Sequence, residues 1–295
     1  MKTRILGMAI GLGALWASLT GCSQPAPECT VGTATASPFA AKLFFVSGDE
    51  SCNPSYQALQ YEQIGLQVYN PPDSSGKLPD TDRRLVAIQP STAGNYLHGV
   101  GGPESNKAYS LGEFDGAYPE SNVCKAATLS PATIVLPEIV PTNEDPTAQA
   151  EVDISYTWSD LEVYVTPANL GNQAQATMTY TDNLANCSAT YRAVMLWPEV
   201  GCEELAFFAP SVPDGECDPI GDPSSCVPCT PDQNPECDIY GTGKPNNALC
   251  DQEDDPEPPY EINHGSGLGP DLRVRCDAQA LLCVLDSNEI QRPQD

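Results

Sequence analysis

Hydrophobic and polar residues alternate along most of the stretch from residue 150 to residue 197. The alternation runs from Val152 to Trp158, changes phase at Ser159-Asp160, and resumes from Leu161 to Val165. An alternation with period two, bounded by Asn, Asp and Gly, is typical of half-buried antiparallel strands. The pattern therefore predicts an up-and-down meander, whose two further runs are Ala174, Ala176, Met178 and Tyr180, and Cys187, Ala189, Tyr191, Ala193, Met195 and Trp197.

Shorter apolar segments precede the meander and also have strand character. They occupy residues 42–46, 64–69, 85–88 and 133–140, and Pro137 should place the last one at a sheet edge or a bulge. Only residues 57–63 and 278–282 are short helix candidates. We therefore predict a mainly β fold, an antiparallel sheet or β-sandwich, with a β-rich domain over residues 37–202.

The aromatic residues of the meander have two interpretations. On an exposed face they could stack on sugar rings or on a peptide. Tyr156, Trp158, Tyr180, Tyr191 and Trp197 are in phase with aliphatic residues, which favours a place in the core, whereas Tyr164 is out of phase and should face the other way.

The composition changes at Cys202. Residues 203–261 hold fifteen acidic residues, one basic residue (Lys244), five cysteines and many prolines. Such a segment buries too little apolar surface to offset its ordering entropy unaided. We predict a disulfide-stapled, acidic, Pro-rich loop over residues 203–262. Apolar residues return in the C-terminal segment, residues 263–295, which should pack back on the β-domain, with Cys276 and Cys283 closing a small hairpin.

The first 21 residues have the pattern of a secretory signal. Lys2 and Arg4 are followed by a stretch without charge from Ile5 to Leu19, and small residues lead to Cys22. The sequence Leu19-Thr20-Gly21-Cys22 resembles the lipobox of bacterial lipoproteins. That resemblance implies cleavage before Cys22, thioether-linked diacylglycerol on Cys22, and acylation of the new amino terminus. An ordinary secretory signal with a nearby cysteine is the alternative.

Two or three acyl chains would anchor the chain stably, whereas one chain binds a membrane only marginally. Residues 22–36 would form a lipid-anchored tether. Ser23 stands where an Asp retains many such proteins in the inner membrane, so the resemblance implies the outer membrane, on its periplasmic or its cell-surface face.

The cysteine count agrees with export from the cytosol. Apart from Cys22, twelve cysteines remain, an even number that predicts up to six disulfide bonds. Their spacing does not determine the connectivity. The candidates are Cys29, Cys52, Cys124, Cys187, Cys202, Cys217, Cys226, Cys229, Cys237, Cys250, Cys276 and Cys283.

The chain is strongly acidic. Its formal charge is −27, and removal of residues 1–21 takes away Lys2 and Arg4 but no acidic residue, which gives −29. A surface of this sign repels nucleic acid and anionic headgroups, which excludes nucleic-acid binding as a function. The charge serves solubility or, alternatively, attracts divalent cations or basic partners.

Three groups of residues are candidates for chemistry. The Cys226-Val-Pro-Cys229 spacing occurs in redox and zinc sites, but no helix is predicted after it, so structural disulfides are favoured. Asp251, Glu253 and Asp255 alternate as calcium ligands do, yet the loop glycine and the distal Glu are absent. A solvated acidic loop without metal is the favoured interpretation there.

The two histidines, His98 and His264, complete the set of candidates. No nucleophile–base motif or phosphate-binding loop accompanies either of them, so we interpret both as bystanders. The sequence therefore nominates no catalytic residue.

Most of residues 40–285 resembles cysteine-rich envelope lipoproteins of uncharacterised function. The stretches that carry the resemblance are 40–43 before Cys52, 64–71, 86–90, 156–166, 196–202, 265–276 and 282–285. The resemblance implies no substrate and no catalytic residue. The sequence favours a non-enzymatic binding, adhesion or assembly module without cofactor, with an envelope protein or a glycan as partner. The alternatives are an envelope hydrolase with a carboxylate pair and a calcium-dependent binding module.

Overall fold

A nine-stranded antiparallel sheet dominates the computed structural model, which describes residues 27–32, 37–97, 106–141, 148–211, 216–230, 237–250, 268 and 272–292. The strand order is β4-β3-β2-β1-β9-β8-β7-β5, and β6 pairs with the first part of β7. The predicted mainly β, antiparallel fold is thus confirmed. The strands are β1 (Phe39–Gly48), β2 (Tyr61–Tyr69), β3 (Leu85–Pro90), β4 (Ser110–Glu113), β5 (Val123–Thr128), β6 (Ala132–Leu136), β7 (Val152–Val165), β8 (Leu170–Asp182) and β9 (Cys187–Leu196).

The sheet curls until its two edges almost meet. The segment around β4 reaches the strands at the opposite edge through backbone hydrogen bonds: Asp115 N–H donates to Lys125 C=O at 2.8 Å, and Ser130 N–H donates to Leu111 C=O at 2.7 Å. Lys107 and Thr133 exchange two such bonds, each 2.9 Å long. As a result, one curled sheet encloses a single core, instead of two sheets stacking as a sandwich.

The predicted meander is present as β7, β8 and β9. The predicted phase change is also present, because the pairing of β7 with β8 shifts register between Ser159 and Glu162, and Asp160 adopts a left-handed backbone conformation with φ of 53°. Such a bulge moves the side chains beyond it back onto the inner face. Tyr156, Trp158 and Tyr191 are almost fully buried in the core, as predicted.

Two aromatic residues need a closer description. Trp197 only partly packs against the core, and its indole N–H donates to Ser37 C=O at 3.1 Å. Tyr164 lies outside the core cluster, as its phase predicted, but it is buried there against Val123 and Ile290.

The helix predictions were largely wrong. The helix near residue 57 is α1 (Pro54–Leu59), which ends because Gln60 adopts a left-handed conformation and β2 begins at Tyr61. Residues 278–280 form a turn. A second helix, α2 (Ser91–Leu97), was missed because its sequence has no apolar periodicity.

The acidic segment contains more regular structure than a loop. Strands β10 (Glu203–Pro210), β11 (Cys226–Pro228) and β12 (Asp238–Pro245) form a three-stranded sheet in the order β11-β10-β12. Three short 3₁₀ helices, Glu50–Cys52, Pro223–Ser225 and Asn247–Cys250, complete the helical turns of the described residues.

Six disulfides pair all twelve cysteines, which confirms the predicted framework. The predicted Cys276–Cys283 closure is wrong, although β13 (Val274–Cys276) and β14 (Cys283–Leu285) form a hairpin in which these two residues stand opposite each other. Each sulfur instead bonds to a cysteine of another segment, so the hairpin is tied to two separate places. The bridges are Cys29–Cys124, Cys52–Cys187, Cys202–Cys276, Cys217–Cys226, Cys229–Cys237 and Cys250–Cys283.

Residues 272–292 pack on the outer face of the large sheet. Leu285 of β14 joins Val194 and Leu196 of β9 in a second apolar cluster, which also contains the Cys202–Cys276 and Cys250–Cys283 bridges. Beneath it, Lys42 Nζ lies 2.8 Å from an Asp277 carboxylate oxygen.

The last described residues cross the sheet as a strap. Arg192 of β9 binds Glu289 at 2.9 Å, and the backbone N–H groups of Ile290 and Gln291 donate to side chains of β8. The acceptors are the amide oxygens of Gln175 and Gln173, at 3.0 and 2.8 Å.

The N-terminal residues 27–32 are also fixed to the large sheet. Cys29 forms a disulfide with Cys124 of β5, and its N–H donates to Ala117 C=O at 2.8 Å. Gly32 N–H donates to Gly171 C=O at 2.9 Å. Part of the segment predicted as a tether, 22–36, therefore belongs to the folded domain.

Candidate functional site

The curled sheet has two distinct ends. We call the first the anchor end, because residues 27–32 are fixed to the sheet there. It contains the starts of β1, β3, β5 and β8 and the ends of β2, β7 and β9. At the opposite, far end lie α1, α2 and the turn between β8 and β9. The chain thus enters the domain at one end, and both helices cover the other.

A buried carboxylate, Glu62, lies beneath the two helices. It alternates in phase with Ile64 and Leu66 of β2, so its side chain points into the core. The Tyr56 hydroxyl of α1 donates to Oε2 at 2.7 Å, and at the start of α2 the Ser91 hydroxyl donates to Oε1 at 2.7 Å.

Thr92 completes this network. Its hydroxyl donates to Oε2 of Glu62 at 2.6 Å, and its backbone N–H donates to Oε1 at 3.2 Å. Glu62 therefore holds α1 and α2 over the far end of the core. Sequence reasoning missed it, although an acidic residue in phase with Ile64 and Leu66 was the available signal.

Four tyrosines pack edge to face around this carboxylate. The Tyr56 ring centre lies 5.9 Å from that of Tyr180 and 5.7 Å from that of Tyr191, and the Tyr156 and Tyr180 centres are 5.4 Å apart. Burial, the main cause, raises the pKa of Tyr180 to about 12. It also raises the pKa of Tyr56, Tyr156 and Tyr191 above the usual value, and negative charge at Glu62 adds to the effect at Tyr56 and Tyr156.

Two buried polar atoms of this region lack a partner among the described residues. They are the hydroxyl oxygen of Tyr191 and the indole nitrogen of Trp158. A buried polar group is normally satisfied by protein or by an ordered water. These atoms lie in a region otherwise lined by aromatic rings.

The raised tyrosine pKa values predict a loss of stability at high pH. The unfolded chain ionises its tyrosines from about pH 10, whereas the folded chain resists ionisation. Stability is therefore fully present below pH 10 and falls as the pH rises further, by about 1.4 kcal/mol per pH unit for each such group. Urea unfolding between pH 8 and 11.5 measures this slope. Tyr156→Phe should reduce the slope by one group's share; a slope equal to that of the wild type would refute the assignment.

Exposed apolar side chains surround the far end. Phe45 and Val46 lie at the end of β1, Leu59 at the end of α1, Tyr96 in α2, and Leu184 in the turn between β8 and β9. We call these five residues the far-end rim. All five lie at the same end of the sheet, and contiguous apolar patches mark interaction surfaces more often than isolated residues do.

Not every predicted site residue can be placed. The lipidation candidate Cys22, the calcium candidates Asp251, Glu253 and Asp255, and the two histidines lie outside the described residues. Cys226 and Cys229 are described, and each bonds to a different cysteine rather than to each other.

One sulfur cluster has the spacing of a metal site. The sulfur atoms of Cys202, Cys250 and Cys283 lie within 4.8 Å of one another. All three are already bonded in disulfides, however, and a disulfide sulfur is not the thiolate that zinc requires. In this state the cluster is a pair of adjacent cross-links.

A known family accounts for the large sheet. The family model MlpA matches residues 37–198, more than half of the chain, and the matched region begins just before β1 and ends just after β9. The chain belongs to the MlpA family. The MlpA match thus spans the nine-stranded sheet with α1 and α2, and it leaves residues 27–32 and the C-terminal segment outside. No curated protein and no solved structure matches the sequence.

Among the described residues, no helix is both long and apolar enough to cross a membrane.

Proposed function

We propose that this MlpA-family chain is a lipid-anchored envelope protein whose sheet is a non-enzymatic binding module. Cys22 carries the lipid. Ser23 occupies the position at which an Asp retains many lipoproteins in the inner membrane, so the outer membrane is the destination. The partner is an envelope protein, which binds at the far-end rim. One observation carries the proposal. The N-terminal segment enters the domain at one end of the sheet, and the rim of exposed apolar groups lies at the opposite end.

The lipid anchor is supported by the sequence from Lys2 to Cys22 and by the six disulfides. A chain that pairs all twelve remaining cysteines is suited to an oxidising compartment outside the cytosol. The thirteenth cysteine is the one at the lipobox position.

The two buried carboxylates of the described residues do not form a pair. Glycoside hydrolysis needs two carboxyl groups that face each other about 5–10 Å apart. Glu62 and Asp277 are the buried carboxylates of the described residues, and they point to opposite faces of the sheet. Both are also occupied by hydrogen bonds, Glu62 from hydroxyls and Asp277 from Lys42 and two backbone N–H groups.

The rim favours a protein partner over a sugar. Of its five members only Tyr96 and Phe45 are aromatic, whereas Val46, Leu59 and Leu184 offer aliphatic surface. Aliphatic side chains bind other apolar side chains through the hydrophobic effect and have no flat face on which a sugar ring stacks. With a formal charge of −29 on the mature chain, a partner with a basic border would associate fastest.

Photo-crosslinking in living cells tests this binding role. A photoreactive phenylalanine analogue at Leu59 or Leu184 should give a discrete higher-mass adduct with a protein. The same analogue at Ile220, which is exposed in the acidic segment, serves as the matched control and should give none. Adducts from Ile220 alone, or none from the rim in cells that contain the folded protein, would contradict the proposal.

The calcium-dependent alternative has its own test. If Asp251, Glu253 and Asp255 held an ion, the melting temperature would rise with calcium and fall with a chelator. We expect no change, as for a solvated acidic loop.

A further inference from the structure

The anchor end carries its own set of exposed apolar side chains. Leu78 is 66 % exposed, Tyr118 58 % and Leu170 55 %. They lie in three separate connections, between β2 and β3, between β4 and β5, and at the start of β8. All three connections are at the same end of the sheet as residues 27–32.

Two of these side chains adjoin the point where the chain enters the domain. Tyr118 follows Ala117, whose carbonyl accepts the hydrogen bond from Cys29 N–H. Leu170 precedes Gly171, whose carbonyl accepts the bond from Gly32 N–H. Gly171 has a φ of 75° and lies against the Thr30 backbone, where a Cβ would clash, so this close contact requires glycine.

The chain between the lipidation candidate and this entry point is short. Cys29 comes seven positions after Cys22, and fully extended this stretch spans at most about 25 Å. As a flexible coil it would average about 14 Å. Strand β7, with 14 residues, is about 43 Å long. The lipid therefore holds the anchor end much closer to the bilayer than the far end.

We infer that the anchor end docks on the lipid surface, with Tyr118 and Leu170 in the headgroup region; this inference rests on the proposed lipid at Cys22. Tyrosine and leucine suit that region, because a tyrosine has an apolar ring and a polar hydroxyl and the leucine adds apolar area. The far-end rim then points away from the membrane, where a partner can reach it.

Charge does not drive this contact. Arg83 and Lys125 at the anchor end are each paired with a glutamate of the sheet, Glu113 and Glu162. Lys77, beside Leu78, is exposed without an ion pair among the described residues, but Asp73 and Asp80 lie in the same connection, so apolar contact and the covalent lipid must hold the surface down. Because the acidic chain repels anionic headgroups, docking should be no stronger on anionic than on neutral vesicles.

Fluorescence quenching by brominated lipids tests the orientation. Three variants of the lipidated protein, Tyr118→Trp, Leu170→Trp and the control Leu184→Trp, are each inserted into phosphatidylcholine vesicles with bromine near the headgroup end of the acyl chains. Leu184 is the matched control because it is 51 % exposed and lies at the far end. The native Trp158 and Trp197 contribute the same background to all three.

We expect loss of fluorescence for Tyr118→Trp and Leu170→Trp, relative to vesicles without bromine, and none for Leu184→Trp. Equal quenching of the three, or quenching of none, in protein that floats with the vesicles would overturn the docked orientation while leaving the lipid anchor intact. Protein that fails to float would instead refute the anchor, and the docking with it.

Discussion

Lys42→Met should destabilise the protein by about 3 kcal/mol, because the buried Asp277 carboxylate loses its nearest cation and keeps only the half-exposed Arg275 guanidinium, 3.8 Å away. The side chains of Lys42 and Asp277 are only 7 % and 5 % exposed, and their charged atoms are 2.8 Å apart. Breaking such a pair typically costs about 3–5 kcal/mol, and the remaining hydrogen bonds to Asp277 from Gln279 and Ala280 place this one at the lower limit. Urea unfolding followed by tryptophan fluorescence measures the difference.

The control for this prediction is an exposed ion pair of the same C-terminal segment. Arg192→Met breaks the pair with Glu289, whose side chains are largely accessible to water, and should cost at most about 1 kcal/mol. The double variant Lys42→Met with Asp277→Asn removes both charges and should recover much of the loss. An equal loss of unfolding free energy in Lys42→Met and Arg192→Met, or no recovery in the double variant, would contradict this prediction. It would show that burial of the Lys42–Asp277 pair does not determine its contribution to stability.

Loss of the Cys52–Cys187 bridge should cost about 4–5 kcal/mol, more than loss of a bridge in the acidic segment. The bridge joins the 3₁₀ helix before α1 to the start of β9 and spans 135 residues of chain. A cross-link stabilises mainly by restricting the unfolded chain, and its effect grows with the logarithm of the loop length. The Cys29–Cys124 bridge overlaps this loop in sequence and therefore shortens the effective loop. The logarithm of the loop length changes only slightly as a result.

The Cys229–Cys237 bridge is the matched comparison, since it closes only 8 residues of separation. The same relation gives about 2.6 kcal/mol for it, and its place in the small sheet should limit the damage to that sheet. Double alanine variants at each bridge, compared by urea unfolding, measure both effects, after a thiol assay on the denatured wild type has found no free cysteine. A larger loss for Cys229–Cys237 would contradict the loop-length argument.

Local patterns predicted the large sheet well, because each signal acted within one strand. Alternation from Val152 to Trp197 predicted β7, β8 and β9, and the phase change at Ser159-Asp160 predicted the bulge. The even number of cysteines predicted a complete disulfide framework. The period-two alternation of side chains was sufficient for the strands, and the even number of cysteines was sufficient for the number of disulfides.

Long-range arrangements could not be predicted in the same way. The pairing of Cys276 with Cys202 depends on where the hairpin docks on the outer face of β1 and β9, and sequence spacing favoured the nearer Cys283 instead. Glu62 was overlooked for the same reason. Its donors lie on two helices, and one of them, α2, had no periodic signal. The buried carboxylate becomes recognisable as part of a network only after the sheet has brought those helices together.

The family match and the structure together divide the chain into a shared sheet and its additions. MlpA similarity ends at residue 198. Beyond it lie the disulfide-bonded acidic segment and residues 272–292, which cover β1 and β9. The far-end rim lies within the shared sheet, whereas the segment 27–32 that fixes the anchor end precedes the match. We therefore expect partner binding to be a property of the sheet and orientation at the membrane to be set by the N-terminal segment.

Intact-mass analysis of the mature protein tests the central claim of a lipid-anchored module most directly. The account predicts a chain that begins at Cys22 and carries the mass of a diacylglycerol thioether, with an acyl group on its amino terminus in addition. It also predicts that Cys22→Ala protein no longer fractionates with membranes. A mature amino terminus at another residue, or a Cys22→Ala protein that still fractionates with membranes, would contradict it.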